Sequence, residues 1–113
     1  MARFNYVELP VTAVGPAKAF YEQAFGWRLT AFGPTYAATL TGDTDVGLQA
    51  DAAEATAAPL PVIDVPDLEA ALAAVEAAGG QVVRPIFAFP GGRRFHFHDP
   101  SGNELAAVQS DPA

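Results

Sequence analysis

The segment from Gly91 to Leu105 reads GGRRFHFHDPSGNEL and joins two strand-like stretches through a turn. Its first part alternates polar and apolar side chains, as in a strand with one buried face. The Asp-Pro-Ser-Gly sequence after it is typical of a tight turn. The alternation sends three polar side chains to one face and two aromatic ones to the other: Arg94, His96 and His98 against Phe95 and Phe97. We therefore expect a sheet with a core-facing side and a side that offers polar groups.

The composition is that of one small domain. The chain has 113 residues, half of them hydrophobic, and no cysteine, which excludes disulfides, thiolate metal sites and a cysteine nucleophile. Its formal net charge of −7 is unsuited to nucleic acid, which needs clustered positive charge. No apolar signal segment or membrane span is evident. We expect a single domain over residues 1–113, cytoplasmic, with neither a nucleic-acid nor a membrane partner.

The two halves of the chain repeat one plan at an offset of 54 residues. Four pairs carry the match: Leu9 with Ile63, Val11 with Val65, Val14 with Leu68, and Gly26 with Gly80. An internal duplication explains such a register. The repeat predicts an α+β fold of two βαβββ modules, at about residues 3–50 and 60–109.

Each module contains one predicted helix. The first has Pro16 at its first position and Gly26 as its stop; the second has Asp67 as N-cap and ends at Gly79 and Gly80. Helical spacing predicts an apolar face on the first helix, formed by Ala17, Phe20, Ala24 and Phe25. The predicted strands after the helices are Trp27–Ala31, Tyr36–Leu40, Val46–Ala50, Gln81–Arg84, Arg94–His98 and Glu104–Val108. The predicted core comprises Leu9, Phe20, Ile63, Leu72, Phe95 and Phe97.

Five short motifs, in this order and spacing, carry a family resemblance. They are YVELPV at residues 6–11, Phe20-Tyr21, Phe25-Gly26-Trp27, the glycine pair at 79–80, and DPSGNE at 99–104. Together they resemble the glyoxalase/bleomycin-resistance/dioxygenase superfamily, also called vicinal oxygen chelate proteins. The resemblance implies a homodimer, curved mixed sheets with a ligand pocket on the concave face, and helices on the convex face.

The metal ligands of that superfamily are not matched. The resemblance would put them at the positions of Tyr6, Leu60 and Ala106. Leucine and alanine have no donor atom, and a hard divalent cation requires oxygen or imidazole ligands. The chain therefore looks similar to the metal-less single-chain branch. We expect no metal at the usual position and no other cofactor, which places the activities of glyoxalase I, fosfomycin-resistance proteins and extradiol dioxygenases in doubt.

The inward strand positions supply the candidate site. If the protein is an enzyme, we expect Glu8 as general base and His96 as acid or polarising group. The expected ligand contacts are Tyr6, Arg94, His98, Glu104 and Phe89. Alternatively, Glu8 pairs with Arg94 or accepts from a hydroxyl. His96 and His98 would then line the pocket, with His98 stabilising the turn at Asp99, or share a metal with a nearby glutamate.

Two functions remain open from the sequence. One is a lyase or isomerase that uses Glu8 and His96 without the usual metal. The other is a non-catalytic protein that sequesters an antibiotic or metabolite. Two carboxylates, one arginine and one or two imidazoles at the inward positions suit a polar or cationic ligand with an aromatic part, and not a phosphate. The segment Phe87–Gly92 is either a mobile lid or a hairpin connection that packs at a dimer interface.

Overall fold

The computed structural model describes residues 2–112, which form eight strands and two helices. In chain order these are β1 (Arg3–Pro10), α1 (Val14–Phe25), β2 (Thr30–Ala31), β3 (Tyr36–Ala38), β4 (Asp45–Gln49), β5 (Leu60–Asp64), α2 (Leu68–Ala77), β6 (Gln81–Phe89), β7 (Gly92–His98) and β8 (Glu104–Ser110). The order strand-helix-strand-strand-strand occurs twice, so the predicted α+β fold of two βαβββ modules is confirmed. No helix within residues 2–112 has the length and apolar character needed to cross a membrane.

The chain divides into two compact units. The N-terminal unit spans Tyr6–Leu60, and the C-terminal unit combines residues 2–5 with residues from Pro61 onward. In the N-terminal unit the strand order is β2-β3-β4-β1, with β1 parallel to β4 and the other pairs antiparallel. In the C-terminal module the order is β5-β8-β7-β6, with β5 parallel to β8 and the other pairs antiparallel.

The 54-residue repeat is visible in the helix starts. α1 begins at Val14 and α2 at Leu68, and each of these is the buried residue of its helix. The strand preceding each helix ends on an equivalent backbone hydrogen bond, in which Val11 N donates to Gln49 O and Val65 N to Val108 O, both over 2.9 Å. The repeated sequence thus produces the same strand-to-helix connection twice.

The predicted apolar face of α1 is wrong in part. The helix begins at Val14, so Pro16 occupies its third position, and the Ala13 cap makes no side-chain hydrogen bond. Val14, Ala17 and Tyr21 then share the core-facing stripe. Phe20 and Phe25 are instead 59% and 63% exposed, so Phe20 does not belong to the core.

Trp27 explains a second difference from the predicted elements. β2 contains only Thr30 and Ala31, whereas the sequence predicted a strand from Trp27. The Trp27 ring stacks on Tyr21, with centroids 5.0 Å apart and planes 9° from parallel. Aromatic contact with the helix therefore replaces strand pairing at Trp27.

The α2 boundaries agree with the predicted caps. The Asp67 side chain accepts a hydrogen bond from Ala70 N over 3.0 Å, and the helix is followed by Gly79 with a φ of 97°. The Gln109 side chain also accepts from Leu68 N over 2.8 Å. Two of the otherwise unpaired N–H groups at this helix start are thereby satisfied.

The core of the C-terminal unit confirms the predicted strand parity. Phe95 and Phe97 are buried and pack with Leu68 of α2. Ile63 and Leu72 are half-buried against the same cluster. In the N-terminal unit, Leu9 is likewise half-buried and packs against a cluster of buried residues that includes Val14, Ala37 and Leu48. In both units the apolar strand face is covered by the helix of the same unit.

The segment Phe87–Gly92 is a hairpin connection and not a loop. β6 continues to Phe89, which pairs with Gly92 across a two-residue turn of Pro90 and Gly91. Gly91 has a φ of 109°, a conformation that favours glycine, and its carbonyl accepts from Asp111 N over 2.9 Å. Of the two alternatives for this segment, the structure therefore has the hairpin connection, because the backbone is paired on both sides of the turn. Its packing at a dimer interface stays a prediction.

Candidate functional site

A histidine and a glutamate form the centre of the site in the C-terminal unit. His96 lies on β7 and is 2% exposed, and its Nδ1 atom is 2.8 Å from Oε2 of Glu104 on β8. A carboxylate can only accept hydrogen bonds, so Nδ1 carries the proton and donates it to Glu104. The two predicted inward residues therefore interact, and the Glu104 carboxylate holds the buried His96 imidazole in one orientation.

The second ring nitrogen of His96 is available for chemistry. Nε2 is buried and has no hydrogen-bond partner within residues 2–112. Burial lowers the pKa of His96 below its usual 6.5; the positive charges of Arg94 and Arg84 act in the same direction, while the Glu104 hydrogen bond opposes it. A lowered pKa keeps the ring neutral, so Nε2 presents a lone pair.

Two bulges in β6 bring unexpected residues to the His96 face. The pairing with β7 shifts register between Val82 and Arg84 and again between Arg84 and Phe87. Arg84 therefore pairs with His96, and Phe87 pairs with Arg94, although Phe87 is three positions after Arg84. Without bulges, that odd spacing would place the two side chains on opposite faces.

Guanidinium groups and aromatic rings surround the histidine. Arg84 Cζ lies 3.7 Å from the centroid of the Phe87 ring, and that ring is 5.8 Å from the His96 ring. Arg94 Cζ is 5.3 Å from Phe87 and 5.6 Å from Phe89. These distances are within the range of cation–π attraction. Among the predicted residues, Glu104 thus contacts His96, Arg94 lies two residues from it on the same face of β7, and Phe89 is near Arg94, all within one unit.

Sequence analysis missed Arg84 and Phe87 as site residues. The available signal was Pro85, which lacks an N–H and therefore marks a bulge or an edge position within a strand. A bulge at that proline reverses which side chains face the polar side. The alternation in the β7 sequence could not reveal this reversal, because the bulges lie in the neighbouring strand β6.

The N-terminal unit contains a second polar group, on β1 and β3. Tyr36 Oη donates to Oε2 of Glu8 over 3.1 Å, and the hydroxyls of Tyr6 and Tyr36 are 2.5 Å apart. Since Tyr36 has only one hydroxyl proton, the Tyr6 hydroxyl is the donor to Tyr36. The result is a chain of donors from Tyr6 through Tyr36 to the buried carboxylate of Glu8. The alternative in which Glu8 accepts from a hydroxyl is therefore confirmed.

Burial raises the pKa of the Tyr36 phenol, and the nearby charge of Glu8 raises it further. Tyr36 therefore stays protonated and keeps donating to Glu8. Gly47 is essential to this arrangement, because a Cβ atom there would lie 2.0 Å from Tyr36 Oη and 2.2 Å from Tyr6 Oη. Tyr36 and Gly47 were not among the predicted site residues.

His98 occupies the same side of β7 as His96 but a different environment. It is half-buried and pairs with Glu104 in the ladder between β7 and β8. The adjacent turn is stabilised by Asp99, whose carboxylate accepts from the N–H groups of Ser101 and Asn103, each over 2.9 Å. The proposed stabilisation of that turn by His98 is therefore not needed. A ligand contact for His98 stays a prediction.

Comparison with known proteins identifies the family. The sequence model of the Glyoxalase/Bleomycin resistance protein/Dioxygenase superfamily matches residues 3–107. The chain therefore belongs to this superfamily, and the predicted resemblance is confirmed. Among curated proteins, none matches the sequence significantly.

Solved structures share the fold at low sequence identity. A hypothetical protein from Bacillus halodurans C-125 has a TM-score of 0.82 and 14% identity, over 99% of this chain and 96% of that one. A variant of Streptomyces coelicolor methylmalonyl-CoA epimerase, in complex with 2-nitronate-propionyl-CoA, has a TM-score of 0.74 and 14% identity, over 97% and 98%. The Mn(II)-bound glyoxalase from Novosphingobium aromaticivorans has a TM-score of 0.70 and 22% identity, over 100% and 44%. These similarities establish the fold of this chain.

The residues of this chain do not fit a metal of the superfamily's type. Leu60 and Ala106 are completely buried and offer no donor atom. Ala106 lies directly opposite His96 in the ladder between β7 and β8. Residues 2–112 contain no group of three or more His, Asp or Glu side chains that could hold a metal ion. The chemistry of the site is therefore derived from its own side chains.

Proposed function

We propose that the chain binds a small organic molecule against the His96 face of its C-terminal unit and transfers a proton on it, as a lyase or isomerase. One observation carries the proposal: the buried Nε2 atom of His96 has no partner, while Nδ1 is fixed by Glu104. An unpartnered buried polar atom is costly in a structure that gains nothing from it. A ligand proton offers Nε2 the partner that it lacks.

The chemistry follows from the two ring nitrogens. Nε2 takes a proton from a carbon next to a carbonyl, and the electron pair of the broken C–H bond moves onto the substrate as an enolate. The imidazolium that forms is stabilised by the Glu104 carboxylate at Nδ1. The guanidinium groups of Arg84 and Arg94 stabilise the negative charge of the enolate. Return of the proton to another position gives an isomer, and loss of a neighbouring leaving group gives a lyase product.

Glu8 is proposed as a second acid–base residue. It is 4% exposed and accepts from Tyr36, which accepts in turn from Tyr6. Such a chain can deliver or receive a proton without moving a side chain far. Tyr6, His98 and Phe89 are proposed as ligand contacts, and their convergence on one pocket with Glu8 and His96 stays a prediction.

Exchange of substrate protons with D₂O tests the proposal. A panel of small carbonyl compounds is incubated with the protein, and loss of the signal next to the carbonyl is followed by proton NMR. We expect His96→Gln to abolish exchange and Glu104→Gln to slow it by about 100-fold or more. Arg93→Gln is the matched control, because Arg93 lies on the same strand but binds Glu69 on α2. Exchange that survives in His96→Gln would contradict the proposed role of His96.

Sequestration of an antibiotic or metabolite is the second candidate. Its support is the surface of Phe87 and Phe89, whose rings are in contact range of guanidinium groups and suit a bound aromatic molecule. Tight binding of a compound that is recovered with no deuterium and no change of structure would favour this function. Under either function we propose a cytoplasmic homodimer.

A further inference from the structure

We infer that Asp99 is a positioning residue of the His96 site and acts through Glu104. Asp99 directly follows β7, and Glu104 is the first residue of β8, so the two lie at opposite ends of one turn. The catalytic consequence of this inference rests on the proposed function. The orientation of the His96 ring, in contrast, can be measured whether or not the protein is an enzyme.

The turn between β7 and β8 is closed by its first residue. Asp99 N donates to Asn103 O over 3.0 Å, and Gly102 N donates to Asp99 O over 2.9 Å. In the side chain, Oδ1 accepts from the N–H groups of Ser101 and Asn103, and Oδ2 accepts from Nδ2 of Asn103, each over 2.9 Å. Asp99 therefore fixes the path of the chain up to Asn103, the residue before Glu104.

The Asp99 side chain stays ionised at neutral pH. The hydrogen bonds from Asn103 are the main cause of its lowered pKa, and the backbone N–H groups of Ser101 and Gly102 act in the same direction. An ionised carboxylate is an acceptor only, and here both of its oxygens are used by donors of the turn.

Glu104 depends on this turn because it begins a strand. It pairs with His98 at the end of the ladder between β7 and β8, whereas the residue opposite His96 is Ala106. The Glu104 side chain therefore reaches His96 diagonally, and diagonal neighbours have Cβ atoms about 7–8 Å apart. Its side chain is 33% exposed, so packing alone does not hold it. A shift of the backbone at Glu104 would separate its carboxylate from Nδ1.

The hydrogen bond to Glu104 determines which ring nitrogen of His96 carries the proton. With the proton on Nδ1, Nε2 has the lone pair that the proposed proton transfer requires. If Glu104 moved away, the proton could occupy Nε2 instead, and this nitrogen would no longer accept a proton from a ligand. The turn at Asp99 thereby keeps His96 in its reactive form.

An aspartate turn in the N-terminal unit offers a matched control. Asp45, on the connection between β3 and β4, accepts from Thr39 Oγ1 over 2.7 Å, from Thr41 N over 2.8 Å and from Gly42 N over 2.9 Å. Asp45→Ala and Asp99→Ala remove the same charge and similar hydrogen bonds from turns in different units. Any effect of a loosened turn on His96 in general would appear in both variants.

Proton–nitrogen correlation NMR of the imidazole signals measures the tautomer. The chain has two histidines, and His96→Gln shows which signals belong to His96. We expect the Nδ1-protonated form in the unmodified protein, and a tautomer ratio lowered about tenfold or more in Asp99→Ala. Asn103→Ala should shift the ratio in the same direction without changing the charge. Asp45→Ala should change it by less than about twofold.

An exchange of the two side chains separates the hydrogen bond from the charge. In Asp99→Asn the side chain keeps one acceptor oxygen for the donors that two oxygens now serve. In the double variant Asp99→Asn/Asn103→Asp, the amide at position 99 can donate to the carboxylate at position 103. The double variant should therefore recover part of the Nδ1-protonated form that Asp99→Asn loses.

The outcomes separate this inference from the proposed function. The inference is wrong if Asp99→Ala leaves the His96 tautomer unchanged, if Asp45→Ala shifts it equally, or if the double variant recovers nothing. Exchange in D₂O that His96→Gln abolishes would still support the proposed function in each of these cases. If the tautomer responds as expected but the unmodified protein exchanges no substrate proton, the proposed function fails and the positioning by Asp99 stands.

Discussion

Gly47 lies directly opposite Glu8 in the parallel ladder between β1 and β4, and its missing side chain leaves the space that two tyrosine hydroxyls occupy. The hydroxyls of Tyr6 and Tyr36 approach each other over this glycine, and Tyr36 donates to Glu8. A backbone position without a Cβ atom therefore permits the donor chain to the buried carboxylate.

Substitution of Gly47 tests this relationship. In Gly47→Ala the new Cβ would overlap both hydroxyls, so we expect Tyr36 to be displaced from Glu8 and the protein to be destabilised by about 1–3 kcal/mol. Urea denaturation measures the change. Gly15→Ala is the matched control, because this helical glycine has no atom within 4 Å of an added Cβ. It should be neutral or stabilising by about 0.5–1 kcal/mol. Equal stability of both variants would contradict the role of Gly47.

Two phenylalanines with opposite burial test the core. Phe95 is completely buried against α2, whereas Phe20 on α1 is 59% exposed. Phe95→Ala should lower the free energy of unfolding by about 3–5 kcal/mol. Phe20→Ala should change it by less than about 1 kcal/mol when the melt is run below the concentration at which chains associate, since most of its side chain is exposed within one chain. Equal losses in denaturant melts would mean that Phe20 is covered in solution.

The sequence was sufficient for features that depend on a regular period. The alternation of β7 identified Phe95 and Phe97 as core and His96 as polar-facing, and the 54-residue offset identified the two modules. A regular period predicts these features because side chains alternate strictly between the two faces of a strand, and because a repeated sequence forms the same strand-to-helix connection each time. Glu104, which hydrogen-bonds His96, was a predicted site residue for the same reason, because polar and apolar residues also alternate at the start of β8.

Features that interrupt a period could not be predicted in the same way. The orientation of Phe20 depends on which stripe of α1 packs on the sheet, and the packed stripe contains Val14, Ala17 and Tyr21. The positions of Arg84 and Phe87 depend on bulges that shift the register of β6. The link from Tyr36 to Glu8 depends on contact between β3 and β1 side chains across β4, which no local pattern specifies.

Metal content can be measured directly. Because Leu60 and Ala106 lack donor atoms, we expect well under 0.1 equivalent of bound transition metal per chain when the protein is purified without added metal. Inductively coupled plasma mass spectrometry of the dialysed protein measures this. About one equivalent of nickel, zinc, manganese or iron would contradict the expectation. His96→Gln and His98→Gln would then show whether either imidazole is a ligand.

The oligomeric state is a separate prediction. The aromatic side chains Phe20, Phe25 and Trp27 are all at least 36% exposed, and such a cluster is unusual on a monomer surface. We expect a homodimer of about twice 11.8 kDa in light scattering at micromolar concentration. The double variant Phe20→Ser/Phe25→Ser shows whether this cluster is the contact. A monomer mass for the unmodified chain would refute the dimer.

The last prediction concerns pH and the neutral state of His96. Burial lowers the pKa of His96 in the folded protein, and the charges of Arg94 and Arg84 lower it further against the opposing effect of Glu104. As the pH falls below about 6.5, the unfolded chain binds a proton at this position that the folded chain does not, so stability falls. We therefore expect a steeper loss of stability between pH 7 and pH 5 in the unmodified protein than in His96→Gln. His98→Gln should retain the steep dependence, because His96 is still present. Urea melts at several pH values measure these slopes, and the same slope in His96→Gln as in the unmodified protein would mean that His96 is not held neutral by its surroundings.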